Sequence, residues 1–252
     1  MDFTIDKYSE LLEALKHHKS HRIRHDVDLK PEYALRVAKV EAEKGMRATY
    51  YFRSMHFSSH EAVIKEIIAL GHRAGYHYED LTTCYGDMEA AYNRFRMNLE
   101  RLRGIVPVST ACAHGSPRSP WNSQDIWSQH DIHQLGIDYE PMLDTDFSRT
   151  LYLTDTGRRW DGYRMSVRDK VPEQQKKWIE EGLRFHTTND LIAALYNPTH
   201  PIHSHELLIN THPQRWMPFG PQWLAEAALQ SFKNIAKTVL VLARNRNRKN
   251  KK

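Results

Sequence analysis

The stretch RIRHDVDLKPEYALRVAKVEAEKG, residues 22–45, sets the pattern on which the chain is organised. A short strand-like run, 22–27, is followed by helical apolar spacing, with Pro31 placed for the first turn of the helix and Gly45 after its end. The same pattern returns directly afterwards, in RATYYF before HEAVIKEIIALG and in HRAGYHY before GDMEAAYNRFRMNLERLRG. Such alternation predicts βαβ units around a parallel sheet, an α/β fold.

Further strand-like runs continue the pattern: VPVSTACAH, the weaker LGIDYE, GLRFHTT before NDLIAALYN, and HELLINTH before a last helix. Six or seven such units predict a closed or nearly closed barrel. Residues 140–182 have no clear period, so we expect an elaborated loop over one face of that barrel, and long loops are often functional. The predicted organisation is a single domain over 1–243 with a disordered basic tail, 244–252.

The bulk composition is ordinary for a soluble globular protein. Hydrophobic residues make up 40% of the 252 residues and charged residues 27%. The first residues lack the succession of basic, apolar and small residues of a signal peptide, and no apolar run approaches the ~20 residues of a membrane span. With only Cys84 and Cys112 present, a disulfide framework is not expected, and a cytoplasmic location is predicted.

Much of the net charge of +5 comes from the segment RNRNRKNKK, residues 244–252, which holds six Lys or Arg and no acid. The remainder of the chain is close to neutral, so binding to nucleic acid is not expected. A solvated tail is the plain interpretation. Peripheral contact with an anionic membrane surface is the alternative, because the preceding PQWLAEAALQSFKNIAKTVLVLA has amphipathic helical spacing.

The first strand-like run ends in two carboxylates. Side chains alternate faces along a strand, so Arg24, Asp26 and Asp28 are predicted to share one face. His25 and its apolar neighbours then point the other way. Two carboxylates on one face repel each other unless a cation lies between them or one keeps its proton. Arg24 would neutralise them in part, and a divalent metal ion would do so better.

Other strand ends carry residues of related chemistry. Active sites of α/β barrels gather at the carboxyl ends of the strands. Besides Asp28, these ends supply His77 and Glu79 in GYHYE, His114 in ACAHG, and His212 in LLINTHP. Aspartate and neutral imidazole form a ligand set that suits zinc and other first-row metals. Any single histidine among the 16 has a structural explanation, but four such strand ends together predict a metal site.

In this order, the pieces RHDVD, GMRATYYF, GHRAGYHYE, AHGSP, LYLTDTGRRWDG and LINTHPQRW resemble the polysaccharide deacetylases of the NodB-homology group, carbohydrate esterase family 4. The similarity spans roughly residues 20–220 and is greatest to a divergent branch with an HDVD first motif, often found among bacterial surface-polysaccharide genes. The resemblance implies a distorted (β/α)7 barrel, which is a TIM-like α/β fold. It also implies a metal-dependent hydrolase that removes an N-acetyl or related acyl group from a sugar.

The resemblance also implies roles for particular residues. Asp26, the first aspartate of the first motif, corresponds to the general base, and Asp28 corresponds to a metal ligand. His77 corresponds to a metal-binding histidine of the second motif. His212 corresponds to the histidine of the last motif, which acts as the acid.

Two departures from the better-known members leave the third metal ligand open. Those members have a second metal histidine four residues after the first, where this sequence has Leu81. They also have an Arg-Pro-Tyr motif, where this sequence has CAHGSPRSPW. His114 is the predicted replacement ligand, with Glu79 as the alternative, and Zn2+ is the predicted ion.

In the expected mechanism, a metal-activated water attacks the acyl carbon, Asp26 takes a proton, and His212 protonates the departing amine. The loop sequence RRWDGYR, 158–164, suits a sugar-binding lid in which Trp160 stacks on a sugar ring and one of Arg158, Arg159 or Arg164 meets a phosphate or carboxylate. Glu79 is the other candidate for substrate contact. Ordinary packing around Trp160 is an equal alternative. A cytoplasmic enzyme of this kind would meet saccharides linked to a nucleotide or a lipid.

Two other functions are compatible with parts of the pattern. A glycosyltransferase would use Asp26-Val27-Asp28 to hold a metal ion and a sugar nucleotide, but it leaves the three strand-end histidines unexplained. A catalytically impaired barrel would bind metal or saccharide without turnover, since a fold does not guarantee a function. Hydrolysis of sugar nucleotides separates the first from a deacetylase, and metal binding without turnover identifies the second.

Overall fold

The computed structural model of the protein describes residues 1–116, 119–161, 166, 169–232 and 234, which form two compact units. The rim unit comprises residues 22–146 and 212–214. The flanking unit comprises residues 1–21, 147–211 and the chain from 215 onward. A single domain over 1–243 stays a prediction, and the basic segment 244–252 lies outside the described residues.

The described elements alternate along much of the chain between strands and helices. The strands are β1 (His21–Val27), β2 (Ala48–Phe52), β3 (Arg73–Tyr78), β4 (Val108–Ala113), β5 (Thr150–Thr154) and β6 (Glu206–Thr211). The helices are α1 (Ile5–Leu15), α2 (Pro31–Glu43), α3 (Glu61–Ala69), α4 (Asp80–Thr83), α5 (Met88–Arg103), α6 (Pro172–Glu180), α7 (Thr188–Tyr196) and α8 (221–232). Among the described residues, no helix combines the length and apolar character needed to span a membrane.

The rim unit is built on parallel strands in the order β4-β3-β2-β1. Helix boundaries follow the sequence signals, because Pro31 occupies the first turn of α2 and Gly45 takes a positive φ of 70° after its end. Helix α5 begins where the Asp87 side chain accepts the Ala90 N–H. Parallel strands bring their carboxyl ends to one edge, so the residues that follow them lie close together.

One face of this sheet holds a buried polar cluster away from the paired aspartates. His25 Nε2 lies 2.8 Å from Glu41 Oε1, and the hydroxyl of Tyr50 donates to Glu41 Oε2. Both His25 and Glu41 are fully buried, and Glu41 belongs to α2. The alternation predicted for β1 is therefore correct, since His25 contacts the helix and leaves the opposite face to Arg24 and Asp26.

On the opposite face of the sheet, the ring of Tyr51 approaches Gly75 of β3 closely. A Cβ atom at this position would lie 2.5 Å from the Tyr51 ring and 3.0 Å from the methyl of Thr110. The pairing of β3 with β4 changes register at this point, between Ala74 and Tyr76. The absence of a side chain lets Tyr51 lie flat against β3, where its hydroxyl contacts Thr110 Oγ1 at 2.8 Å.

The flanking unit contains a parallel pair, β5 and β6, together with helices. The elaborated loop expected over 140–182 contains regular structure, because β5 and α6 both lie within it. All five residues of β5 are buried, so the run shows no alternation of apolar and polar side chains.

The strand expected at GLRFHTT does not form. Leu183 and Phe185 are buried, which explains their alternating pattern. The backbone N–H groups of His186 and Thr187 donate to the Asp190 carboxylate, as part of the capping of α7. These donors are therefore engaged in starting a helix.

The predicted α/β class with a parallel sheet is confirmed. Six strands are found among the described residues, and neither the four of the rim unit nor the pair of the flanking unit closes on itself. The weak strand LGIDYE is reduced to a single bridge between Thr110 and Tyr139. The fold thus places the strand ends together without a closed ring in either unit.

Candidate metal centre

The rim unit brings two imidazoles onto one oxygen of Asp28, the residue that follows β1. His77 Nε2 lies 3.3 Å from Asp28 Oδ1, and His114 Nε2 lies 3.4 Å from the same atom. The ligand atoms of these three residues all lie within 4.8 Å of one another. The predicted ligands Asp28, His77 and His114 therefore form a compact group of the kind that holds a divalent ion.

The ring of His77 is oriented by the neighbouring strand. Its Nδ1 lies 3.0 Å from the backbone oxygen of Cys112 in β4. A carbonyl only accepts, so Nδ1 carries the proton and donates it, which leaves the lone pair of Nε2 directed toward Asp28. Metal-binding histidines in proteins are commonly fixed in this way through their second nitrogen.

The ring of His114 is oriented by a charged pair. Its Nδ1 lies 3.2 Å from Glu79 Oε2, and Arg53 donates to the other oxygen, Glu79 Oε1, from Nη2 at 2.6 Å and Nε at 2.9 Å. Burial opposes ionisation of Glu79, but His114 and Arg53 lower the pKa of this carboxyl to about 2. Nδ1 also lies 3.1 Å from Ser116 Oγ, and a proton held on Nδ1 by these neighbours leaves a lone pair on Nε2 of His114, which faces Asp28.

Electrostatics at this point favour a positive charge. Burial opposes a charge on His77, but the carboxylates of Asp26 and Asp28 outweigh it and raise the pKa of the imidazole. Burial likewise opposes ionisation of Asp28, but His77, His114 and His212 hold the pKa of this carboxyl well below its ordinary range. Oxygen and nitrogen donors of an ionised carboxylate and two imidazoles converge here, which is an arrangement that a bound cation would balance.

The surroundings of one buried oxygen atom, Asp28 Oδ1, indicate whether the residues present suit a metal ion. Asp28 Oδ1 is shielded from solvent and has no hydrogen-bond partner among the described residues. Such an atom normally costs free energy unless a proton donor or a cation satisfies it. The two Nε2 atoms facing it are suited to the same cation, so the donor set of Asp28, His77 and His114 fits a divalent first-row metal.

A second group of possible ligands, Asp26, His77 and Cys112, lies deeper. Burial raises the pKa of the Cys112 thiol well above its ordinary value, which keeps it protonated. Arg24 Nη1 also lies 2.7 Å from Cys112 Sγ. A neutral thiol beside a guanidinium is a poor ligand, because metal ions bind the thiolate. The group around Asp28 is the better candidate.

Asp26 and His212 lie beside the group without belonging to it. Asp26 Oδ2 is 3.2 Å from Arg24 Nη2 and 4.0 Å from His77 Nε2. His212 Nε2 is 3.8 Å from Asp28 Oδ2, the oxygen not shared by His77 and His114. Both residues are largely buried. Their positions suit groups that exchange protons at the site, while their roles stay predictions.

The predicted substrate contacts are placed differently. Trp160 belongs to the flanking unit, where it is 6% exposed, donates from its indole N–H to Thr188 Oγ1, and packs near Phe3 and Trp216. These are the contacts of a core side chain, so a stacking role for Trp160 stays a prediction that this packing does not support. Arg164 lies outside the described residues. Glu79 is engaged with Arg53 and His114.

Sequence reasoning missed three groups that support the site. Arg53 follows β2 and fixes Glu79, His56 Nε2 lies 3.1 Å from the backbone oxygen of Asp28, and the Cys112 carbonyl orients His77. Arg53 could have been predicted from the sequence as another residue at a strand end, because it follows YYF directly at the end of β2. The other two depend on backbone positions that no residue type signals.

No protein-family model matches the chain, and no curated protein matches it. Solved structures of three family 4 carbohydrate esterases are similar to it in fold. One from Bacillus anthracis shares 12% identity at a TM-score of 0.41, covering 91% of this chain and 86% of that one. One from Streptococcus mutans shares 12% identity at a TM-score of 0.42, covering 91% of this chain and 87% of that one. PdaA of Bacillus subtilis shares 14% identity at a TM-score of 0.43, covering 88% of this chain and 82% of that one.

Proposed function

We propose that the chain is a divalent-metal-dependent hydrolase that removes an N-acetyl or related acyl group from a sugar. The observation that carries this proposal is the convergence of His77 Nε2 and His114 Nε2 on Asp28 Oδ1. Asp26 and His212 stand next to that point, and each offers a group that can move a proton. A metal-activated water, a base and an acid are together sufficient to hydrolyse an amide.

The proposed ion is Zn2+, held by Asp28, His77 and His114, since one carboxylate and two imidazoles form a ligand set typical of catalytic zinc. When bound, such an ion lowers the pKa of a coordinated water and polarises the acyl oxygen. Glu79 and Arg53 act behind His114 by fixing the orientation of its ring.

Asp26 is the proposed general base. Its carboxylate lies 4.0 Å from His77 Nε2 and therefore borders the group of metal ligands. Arg24 contacts it at 3.2 Å and restricts its rotamer. A carboxylate held in this position can take the proton that the attacking water gives up.

His212 is the proposed general acid. Its Nε2 faces Asp28 Oδ2, away from the oxygen that the other two imidazoles share. The ordinary pKa of imidazole lies close to neutral pH, which suits it to protonate a departing amine. The products would be a carboxylic acid, such as acetate, and a free amino sugar.

The substrate class is proposed from the ordered motifs, which resemble polysaccharide deacetylases of the HDVD branch. A sugar of a bacterial surface polysaccharide, or its nucleotide- or lipid-linked precursor, is the proposed substrate. A cytoplasmic location belongs to the same proposal, because such precursors are made there.

The test begins with purified protein stripped of metal and reloaded with Zn2+. We expect about one ion per chain and release of acetate or formate from N-acetyl, O-acetyl or N-formyl sugars. His77→Ala should lose both the ion and the activity. His130→Ala should keep both, because His130 pairs with Glu89 and belongs to neither group of possible metal ligands among the described residues.

Three outcomes would contradict the proposal. A metal-free protein that is indifferent to His77→Ala would remove the metal centre. Metal bound without turnover of any acylated sugar would identify a binding protein. Hydrolysis of the sugar-nucleotide diphosphate bond, with the acyl group retained, would favour the glycosyltransferase alternative.

A further inference from the structure

Helix α8 packs in the flanking unit through Trp223 and Gln230, which are its buried side chains. Trp223 is 9% exposed and donates from its indole N–H to the backbone oxygen of Phe3 at 2.9 Å. Seven residues further on, which is about two helical turns, Gln230 is 4% exposed and donates to Asn234 Oδ1. Asn234 in turn donates to the backbone oxygen of Gly157 at 2.8 Å. The inward contacts are therefore an aromatic anchor followed by satisfied amides.

The opposite side of the helix is apolar and exposed. We define the outer face as Leu224, Ala225, Ala228, Leu229 and Phe232, which recur at spacings of three and four residues. The three large side chains are 53%, 50% and 75% exposed, in that order along the chain. An amphipathic helix of a soluble domain normally turns its apolar stripe to the core. Here amides face inward and leucines and a phenylalanine face out.

The sequence from the outer face onward is basic. Between residues 227 and 252 there are eight Lys or Arg and no Asp or Glu. Two of them, Lys233 and Lys237, belong to the sequence PQWLAEAALQSFKNIAKTVLVLA, 221–243, which has amphipathic helical spacing. The other six belong to 244–252. An apolar helical stripe followed by clustered positive charge is the combination that binds anionic lipid surfaces.

We propose that the outer face of α8 docks on an anionic membrane surface. The apolar side chains enter the boundary between headgroups and acyl chains, and the basic residues attract the lipid phosphates and carboxylates. Charge favours this partner over a second copy of the chain, because the eight Lys and Arg of 227–252 are attracted by anionic lipid, whereas two copies carry the same excess of positive charge. The proposal does not depend on the proposed function, since the surface lies outside the rim unit.

The test is sedimentation of the full chain with vesicles of phosphatidylcholine, with or without about 30% phosphatidylserine. We expect binding to the anionic vesicles only, weakened by added salt. Each charge near the surface contributes about fivefold, so replacing the six Lys and Arg of 244–252 by Gln should weaken binding by ~25-fold if two of them reach the lipid and by ~10,000-fold if all six do. Leu224→Ser combined with Phe232→Ser should weaken it by ~10-fold or more.

Met97→Ser is the matched control, because Met97 is 52% exposed on α5 of the rim unit, and this variant should bind as the wild type does. Circular dichroism checks that the serine variants fold. The proposal is overturned if the wild type ignores anionic vesicles. It is also overturned if the Leu224/Phe232 variant binds them unchanged, or if that variant instead dissociates a dimer of the wild type.

Discussion

Glu79 Oε2 lies 3.2 Å from His114 Nδ1, while the other oxygen of Glu79 accepts two hydrogen bonds from Arg53. The contact joins a residue that follows β3 to one that follows β4. It leaves Nε2 of His114 facing Asp28, where His77 also points. Glu79 was a candidate third ligand in the sequence, and its geometry is that of a residue that positions His114, the proposed third ligand.

Glu79→Ala should therefore weaken metal binding without removing a ligand. Losing a carboxylate that orients a metal-binding histidine typically costs ~10–100-fold in affinity. Competition with a chromophoric chelator measures the dissociation constant directly. Glu79→Gln should restore part of the loss, because its amide oxygen still accepts the His114 proton.

The pair Glu89 and His130 provides the control, since it has the same chemistry at 3.2 Å but belongs to neither group of possible metal ligands among the described residues. Glu89→Ala should leave metal affinity unchanged. If Glu79→Ala binds metal as tightly as the wild type, the orientation of His114 does not depend on Glu79. If it abolishes binding entirely, as loss of a ligand would, Glu79 is itself a ligand.

Asp26→Asn should separate metal binding from turnover. Asparagine has the shape of aspartate and can still meet Arg24, but it cannot accept a proton. We expect the variant to keep its metal and to lose at least ~100-fold in kcat, the typical contribution of a general base. Asp125→Asn, at an exposed position of the rim unit, should change neither. Retained kcat would assign the base to another group.

The residues at three strand ends were predictable because each of those strand-like runs ends in an Asp or His that is visible in the sequence. Asp28, His77 and His114 come from three separate parts of the sequence, and the parallel order of β1, β3 and β4 explains why they meet. Alternation along β1 also predicted correctly that His25 turns away from Asp26. The catalytic roles of these residues remain predictions.

The misses have physical causes that a single sequence does not display. The strand β5 is buried throughout and shows no alternation, so it was hidden in the supposed loop. GLRFHTT alternates because Leu183 and Phe185 pack inward, while Asp190 captures the backbone donors that a strand would need. The contact of Arg53 with Glu79 joins residues 26 apart and requires the register of β2 with β3.

Gly75→Ala should destabilise the rim unit. Its Cβ would meet the Tyr51 ring at 2.5 Å, and Tyr51 is 1% exposed and therefore has little room to move. Overpacking of this kind costs about 1–3 kcal/mol, measured as the free energy of unfolding in urea. Gly220→Ala, where a Cβ meets nothing within 4 Å, should cost far less. Equal stabilities for the two variants would show that Tyr51 relaxes freely.

Asp80 should make stability depend on pH. Its carboxyl accepts hydrogen bonds from Tyr76 at 2.7 Å and from Asn98 at 3.0 Å, and Arg94 lies nearby. Burial outweighs these contacts and raises the pKa of Asp80 from 3.8 to about 6. The folded state thus holds this proton more tightly than the unfolded chain does. The contribution of Asp80 to stability is fully present below about pH 4 and is lost as the pH rises through about 6.

Asp80→Asn removes that titration, so the difference in unfolding free energy between wild type and variant should change between about pH 4 and 6. The shift corresponds to a change on the order of 3 kcal/mol, with the wild type losing ground to the variant as the pH rises. Urea unfolding at several pH values in this window measures it. Asp87→Asn, at the exposed start of α5, should follow the wild-type curve. Parallel curves for wild type and Asp80→Asn would mean that Asp80 titrates alike in the folded and unfolded states.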